Sequence, residues 1–164
     1  MVNSVLPQRR SVRLKNYDYG SNGFYFITLC CYRRFLLFGE IIDDQMQINS
    51  IGALVAMEWQ KIPELFPAVE LHPWGLMPNH FHAILALSNK PGKNCTKLGS
   101  VVGSLKSLSQ KAVRGTFGQN APQLWQRGYY DHVIRNEEAY QHIAQYVQTN
   151  PQSWQADYFN GLGS

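Results

Sequence analysis

The stretch "MPNHFHAILALS" (residues 77–88) combines a turn, a histidine pair and an apolar run. Pro78 and Asn79 are typical of a turn, and the mostly apolar residues after them predict a buried strand. Residues two apart in a strand project to the same face, so His80 and His82 should point one way and Phe81 the other. The stretch therefore predicts a strand that carries two imidazoles on one face.

The segments on either side of this strand predict the other elements of an α+β fold. Aromatic and β-branched residues predict strands at "GFYFITLCCYRR" (23–34), "AVELHPWGLM" (68–77) and "QLWQRGYYDHVI" (123–134). Polar caps and helical spacing predict helices over about 50–64, 98–115 and 137–149, the last of them ended by Pro151. The order β-α-β-β-α-β-α begins with the split β-α-β pattern. We therefore predict a ferredoxin-like sandwich: an antiparallel sheet with helices on one face, plus a C-terminal helix that carries Tyr146.

Length and composition predict one globular domain over residues 1–164, because 45% of the residues are hydrophobic and 16% are charged. We expect a basic N-terminal arm at 1–20 and a C-terminal tail at 152–164, both loose. Apolar runs are too short for a membrane span, and the N-terminus lacks the apolar stretch of a secretory signal. Cys30, Cys31 and Cys95 have no zinc-site spacing, so we expect free thiols and a cytoplasmic location.

The distribution of charge is more informative than the net charge of +4. No acidic residue occurs between Glu70 and Asp131, although this segment contains seven basic residues: Lys90, Lys93, Lys97, Lys106, Lys111, Arg114 and Arg127. The N-terminal arm adds Arg9, Arg10, Arg13 and Lys15. An ordinary solvated surface would explain an isolated basic run. The histidine pair inside this segment favours a polyanion partner instead, most simply a nucleic-acid backbone.

The histidine pair suggests a metal site, although H-x-H alone is a weak signal and both rings could simply bond water or backbone. A third ligand must come from another segment, since residues 71–130 contain no carboxylate. In the last predicted helix, His142, Tyr146 and Asn150 lie at i, i+4 and i+8 and form a polar stripe. Tyr146 could be a nucleophile and Asn150 a metal ligand, or Tyr146 could be an ordinary tyrosine at the rim of the core.

Two blocks of the sequence, "MPNHFH" and "WQRGYYDHVIRNEEAYQHIAQYVQTNPQSW", resemble the REP-associated tyrosine transposases. These are single-tyrosine HUH transposases related to insertion sequence 200. The segments "RRSVRLKNYDYGSNGFYFITLCCYRR" and "LFGEI" are also similar to that family, so the resemblance covers nearly the whole chain.

The resemblance implies a metal-dependent endonuclease and strand transferase for single-stranded DNA, with a 5′-phosphotyrosine intermediate. It implies that Tyr146 is the nucleophile and that His80, His82 and Asn150 bind Mg²⁺ or Mn²⁺. The expected partner is single-stranded or hairpin DNA from repeats, and both a monomer and a homodimer are possible. Candidate DNA-binding residues are Arg9, Arg10, Arg13, Lys106, Lys111 and Arg127. For His132 and Arg135 we expect structural roles in the first place, and the role of His142 stays open.

Two alternatives remain at this point. One is a non-catalytic nucleic-acid-binding module, in which Phe24, Tyr25 and Phe26 stack on bases across a ferredoxin-like sheet. It leaves the histidine pair and the Tyr146/Asn150 spacing unexplained. The other is a rolling-circle replication initiator with the same histidine chemistry, which the short chain and the lack of a helicase-like segment disfavour.

Overall fold

The structure, a computed structural model, describes residues 14, 16–157 and 159–160. Its strands are β1 (Gly23–Cys30), β2 (Gly39–Ile42), β3 (Gln45–Ile48), β4 (Val69–Met77), β5 (His80–Leu87) and β6 (Tyr130–Ile134). Its α-helices are α1 (Ser50–Gln60), α2 (Ile62–Leu65), α3 (Leu98–Phe117) and α4 (Glu137–Thr149). Short 3₁₀ helices follow β1 at Tyr32–Arg34, α3 at Gly118–Asn120 and α4 at Asn150–Ala156.

The main sheet has the strand order β4-β5-β1-β6, and every neighbouring pair in it is antiparallel. Helices α1 and α3 pack against each other on one face, whereas α4 packs on β4 and β5 from the other face. This is the predicted ferredoxin-like split β-α-β sandwich, with the C-terminal helix carrying Tyr146. The fold prediction is therefore confirmed.

Alternation along β1 divides the interior into two cores. Tyr25, Ile27 and Leu29 face the main core under α1 and α3. The opposite face carries a smaller core beneath α4, formed by Phe26, Ile84, Ile134, Ala144 and Val147. Of the three aromatic residues that would stack on bases in a binding module, Tyr25 and Phe26 are buried and only Phe24 is exposed. The open aromatic platform that this alternative requires is absent from the described sheet, because α4 covers it.

Two local predictions were wrong and one hairpin was missed, each for a backbone reason. The hairpin of β2 and β3 was missed; its turn residues Asp43 and Asp44 have φ angles of 50° and 60° without the Asn-Gly or Asp-Gly signal. The helix predicted over 50–64 breaks at Lys61, because Pro63 starts a separate turn, α2. The strand predicted over 123–134 shortens to β6, after Gly128 with φ 79°.

The expectations for the two ends of the chain have different outcomes. Most of the predicted N-terminal arm, including Arg9, Arg10 and Arg13, lies outside the described residues. The predicted loose C-terminal tail is wrong for residues 152–157 and 159–160: the chain forms a 3₁₀ helix as far as Ala156, and Phe159 is buried. None of the described helices has the length and apolarity needed to cross a membrane.

Candidate active site

The two histidines occupy the face of β5 that lies under α4. His80 and His82 are fully buried, their ring centroids are 5.2 Å apart, and Phe81 between them points into the main core. The predicted placement on one face is therefore confirmed. Since β5 is paired on both sides, by β4 and β1, the backbone under the two rings is rigidly held.

Helix α4 brings the predicted tyrosine and asparagine to these histidines. Asn136 caps the helix by accepting a hydrogen bond from the N–H of Ala139, and Val147 packs into the smaller core. This packing sets the rotation of the helix. It places the Tyr146 ring centroid 5.7 Å from that of His82, and the Asn150 Nδ2 atom 3.5 Å from His82 Nδ1. His142, the third member of the predicted stripe, is exposed.

Three polar atoms in this cluster are buried without a hydrogen-bond partner: Nε2 of His80, Nε2 of His82 and Oδ1 of Asn150. A buried polar atom without a partner is costly, so three in one place indicate a ligand site. Imidazole nitrogens and amide oxygens are both ligands of divalent cations. Gly75 leaves room at one of them, because a Cβ atom there would lie 3.2 Å from His82 Nε2.

The buried donor set combines two imidazole nitrogens with one amide oxygen. Within the described residues, no three His, Cys, Asp or Glu side chains form a group that could hold a metal ion. The further unpartnered donor atom beside the two imidazoles is the amide oxygen Oδ1 of Asn150. Such a site has few protein ligands and leaves coordination positions for water or substrate.

Asn79 orients the first histidine, and sequence reasoning treated it only as a turn residue. His80 Nδ1 donates to Asn79 Oδ1 at 2.9 Å, while Asn79 Nδ2 donates to the Phe159 carbonyl at 2.8 Å. An amide oxygen can only accept, so His80 carries its proton on Nδ1 and keeps the lone pair of Nε2 free. The sequence signal available for this role was the position of Asn79 directly before the histidine pair.

Burial keeps both histidines uncharged at neutral pH. Desolvation lowers the pKa of His82 to about 3. It also lowers the pKa of His80 well below its usual value, with further contributions from His82 and the positive charge of Arg34. Neutral imidazoles are the form that binds a metal ion.

These shifts make stability depend on pH. In metal-free buffer with a chelator, we expect the free energy of unfolding to fall as the pH drops below about 6.5, the pKa of an unperturbed histidine. In that range the unfolded chain binds more protons than the folded one, and each histidine contributes a slope of about 1.4 kcal/mol per pH unit. Asp157 opposes this trend, since burial raises its pKa. Urea unfolding across this range measures the slope.

The matched control is a double variant, His80→Gln with His82→Gln, which keeps polar side chains but cannot titrate. Its unfolding free energy should vary less with pH than that of the wild type. Identical slopes in the two proteins would show that other groups cause the acid sensitivity.

Asp157 is a second residue that sequence reasoning missed, because it lies in the segment predicted to be a loose tail. Tyr146 donates its hydroxyl proton to Asp157 Oδ2 at 3.2 Å, and the N–H of Phe159 donates to Asp157 Oδ1 at 2.7 Å. Burial, and then the charge of Asp157, raise the pKa of Tyr146 far above its usual value. The phenol is therefore protonated in this arrangement.

Two aromatic side chains close the cluster from the C-terminal side. The ring centroid of Phe159 lies 4.8 Å from that of His80, and the ring centroid of Trp154 lies 6.2 Å from it. We call residues 151–157 and 159–160 the cover segment. Its two rings lie over His80, which is buried together with His82.

The predicted DNA-binding lysines and arginines lie in different environments. Lys106 donates to the Gln126 carbonyl at 2.9 Å and also to the Gly128 carbonyl, so its ammonium anchors the loop before β6. Lys111 and Arg127 are exposed. Lys111 also lines a groove of about 580 Å³ beside α3, together with Lys106, Ser107, Gln110, Arg114, Gln123 and Trp125. His132 and Arg135, which we expected to be structural, are exposed on and just after β6.

Comparisons with known proteins identify the family and the fold of this chain. The sequence model of the family described as "Transposase IS200 like" matches residues 22–150. A Haemophilus influenzae protein described as uncharacterized is 38% identical over 170 residues, which cover 94% of each chain. The structure of a REP-associated tyrosine transposase bound to a REP hairpin has a TM-score of 0.58 and 21% identity, covering 85% of this chain and 81% of that one. A candidate transposase from Deinococcus radiodurans R1 has a TM-score of 0.51 and 17% identity, covering 81% of this chain and 92% of that one.

Proposed function

Because this chain belongs to the IS200-like transposase family, we propose that it is a metal-dependent endonuclease and strand transferase for single-stranded DNA. In this proposal Tyr146 forms a 5′-phosphotyrosine intermediate on repeat DNA that contains a hairpin. The observation that carries the proposal is the cluster of three unpartnered buried atoms, on His80, His82 and Asn150, beside Tyr146. The hairpin substrate is inferred from the similar structure, which is bound to a REP hairpin.

The residues proposed to hold the metal ion are His80 and His82, through Nε2, and Asn150, through Oδ1. When bound, Mg²⁺ or Mn²⁺ polarises a phosphate oxygen and stabilises the charge of the transition state. All three ligands are neutral, so the protein does not diminish the charge of the ion. Water molecules and phosphate oxygens in the open coordination positions suit both Mg²⁺ and Mn²⁺.

Tyr146 carries the covalent step. Its phenolic oxygen forms a bond to the scissile phosphorus, and the bond from phosphorus to the 3′ oxygen breaks. The phenol loses a proton and the departing 3′ oxygen gains one, so the products are a 5′-phosphotyrosine and a free 3′ hydroxyl. A 3′ hydroxyl can later attack the phosphotyrosine, which rejoins DNA strands without an external energy source.

All four residues meet within a single chain, and the active unit is proposed to be a monomer or a homodimer. His80 and His82 are contributed by β5, whereas Tyr146 and Asn150 are contributed by α4 and the turn that follows it. A cytoplasmic location is part of the proposal, in keeping with free thiols at Cys30, Cys31 and Cys95. Lys111 and Arg127, both exposed, are proposed to contact the DNA backbone.

The decisive experiment is a cleavage assay on single-stranded DNA with a hairpin, labelled at its 3′ end. A 5′-phosphotyrosine retains the 3′ part of the strand, so labelled protein should appear on denaturing gels with Mg²⁺ or Mn²⁺ and not with chelator. Binding without any adduct, across several hairpin substrates and both metals, would instead favour the non-catalytic binding module.

In this proposal the cover segment moves before DNA reacts, because His80 and His82 are buried. We expect Phe159→Ala combined with Trp154→Ala to speed the first turnover about tenfold, which corresponds to about 1.4 kcal/mol of lost closing energy. The measurement is the single-turnover cleavage rate at saturating DNA. Phe35→Ala is the matched control, since its ring is 48% exposed and lies outside the site. An unchanged rate in the double variant, with folding intact, would contradict a closing role for the segment.

Asn79 should matter through the histidine that it orients. We expect Asn79→Ala to weaken Mn²⁺ binding by about 10- to 100-fold, the usual effect of removing a partner that orients a metal-binding histidine. Asn79→Asp retains an acceptor for His80 Nδ1 and should bind Mn²⁺ better than Asn79→Ala does. Calorimetric titration measures the affinity, with Asn94→Ala in an exposed loop as the control. Equal affinities in wild type and Asn79→Ala would refute the orienting role.

A further inference from the structure

Arg34 is a buried cation with an unused donor. Only 8% of its surface is exposed, and none of the ion pairs found among the described residues includes it. Its Nη2 donates to the Tyr130 hydroxyl at 3.5 Å, whereas Nη1 is buried with no hydrogen-bond partner. Buried arginines are normally paired with a carboxylate or another acceptor. The missing acceptor points to a ligand that binds this guanidinium.

The backbone around Arg34 adopts an unusual conformation. Arg33 and Arg34 have φ angles of 51° and 59°, in the left-handed region that residues other than glycine seldom adopt. The N–H of Arg34 donates to the Cys31 carbonyl at 3.0 Å and closes this turn. The turn follows β1 directly, and Cys30 at the end of β1 is the register partner of His80. Strained backbone of this kind is found at functional sites, where the surrounding structure maintains it.

Arg34 faces the same space as the candidate active site. The Phe159 ring centroid lies 4.7 Å from Arg34 Cζ and 4.8 Å from the His80 ring centroid, so one side chain of the cover segment contacts both. The positive charge of Arg34 lowers the pKa of His80 and counteracts the rise in the pKa of Asp157. Once Phe159 moves away, the guanidinium and the imidazole border one vacated space.

We propose that Arg34 is a catalytic residue, whose Nη1 donates to a non-bridging oxygen of the scissile phosphate while Tyr146 attacks phosphorus. The proposal rests on the strand-transfer function above. The bond from the Tyr146 oxygen to phosphorus forms, the bond to the 3′ oxygen breaks, and the proton lost by the phenol is balanced by the proton gained at the 3′ oxygen. Arg34 keeps its protons throughout, since it acts only as a hydrogen-bond donor.

The chemistry of arginine fits this role. The planar guanidinium presents fixed N–H donors that match phosphate oxygens, and its charge meets the negative charge of the transition state. A donor buried beforehand does not have to be desolvated when the reaction occurs. In this proposal the Phe159 ring covers the guanidinium until the phosphate takes the place of the ring.

The test compares single-turnover cleavage by the wild type, Arg34→Ala, Arg34→Lys and Arg33→Ala. Arg33 is the matched control, because it shares the left-handed backbone and the charge but is exposed. We expect Arg34→Ala to slow cleavage by about 10²- to 10³-fold, as for other single donors to a transition state. Arg33→Ala should cleave within about twofold of the wild type, as usual for a surface change outside the site. DNA affinity should change little in either variant.

Substrates with a methylphosphonate at the scissile position separate catalysis from structural support. Each diastereomer lacks one non-bridging oxygen. We expect the ratio of wild-type to Arg34→Ala rates to collapse to about one on the diastereomer that lacks the oxygen bound by Arg34. The ratio should persist on the other diastereomer. Arg34→Lys supplies the same comparison if Arg34→Ala does not fold, as judged by thermal unfolding.

Two results would overturn the proposal. One is an Arg34→Ala rate equal to that of the wild type; the other is an equal loss on the phosphate and on both methylphosphonates, which marks a purely structural residue. Absence of any adduct from the wild type would instead refute the proposed strand-transfer function. The adduct assay on the wild-type protein therefore distinguishes failure of the Arg34 proposal from failure of the proposed strand-transfer function.

Discussion

Replacing Tyr146 with phenylalanine is expected to abolish the covalent protein–DNA adduct and to leave DNA binding nearly unchanged. The phenolic oxygen is the atom that would bond to phosphorus, and phenylalanine lacks it. Binding depends mainly on contacts with the DNA backbone, so the loss of one hydroxyl should alter affinity little. Denaturing gels with substrate labelled at its 3′ end measure the adduct, and a native gel shift measures binding.

The structure distinguishes Tyr146 from the other tyrosines near the C-terminus. Tyr140 on the same helix bonds through its hydroxyl to His72 Nδ1 at 2.8 Å, away from the buried histidine pair. Tyr129 packs against the main core. Tyr130 sits on β6 beside Arg34, with its ring against that of Phe159.

Tyr140→Phe is therefore the matched control, since it removes a hydroxyl from the same helix without touching the site. It should form adduct as the wild type does. An adduct that persists in Tyr146→Phe would transfer the nucleophilic role to another tyrosine, with Tyr130 the next to test.

The second large effect is expected from the histidines. His80→Ala and His82→Ala should each reduce metal-dependent cleavage by at least about 10²-fold, because two of three proposed protein ligands are nitrogens of these rings. Mn²⁺ binding should weaken in parallel, which calorimetry measures without reference to activity. Binding of DNA in chelator should be preserved, since it does not require the metal.

His142→Ala is the control for this pair, because His142 lies on α4 with Tyr146 but is exposed. It should bind Mn²⁺ and cleave DNA as the wild type does. If both buried variants bound Mn²⁺ with wild-type affinity, the metal site would have to lie elsewhere. Thermal unfolding of each variant separates loss of ligand from loss of fold.

The sequence by itself determined the features that follow from local periodicity. The two-residue repeat of a strand placed His80 and His82 on one face, and the helical repeat placed Asn150 one turn after Tyr146. The order of elements was sufficient for the ferredoxin-like sheet, because few topologies connect a split β-α-β pattern without crossings. The charge pattern indicated a basic surface, but not which ammonium groups are free: Lys106 is bonded to the carbonyls of its neighbouring loop.

Tertiary structure alone decided the rest of the site, because it depends on contacts between segments far apart in the chain. Asn79 orients His80 while also bonding to the Phe159 carbonyl, 80 residues further along. No sequence periodicity indicates that Arg34 is buried, because it lies in a left-handed turn and not in a strand or α-helix. Asp157 lies in the segment that the sequence predicts to be a tail, and only the folded structure places it against Tyr146. Residue spacing constrains which side chains share a face, whereas burial and pairing depend on what the rest of the chain packs against that face.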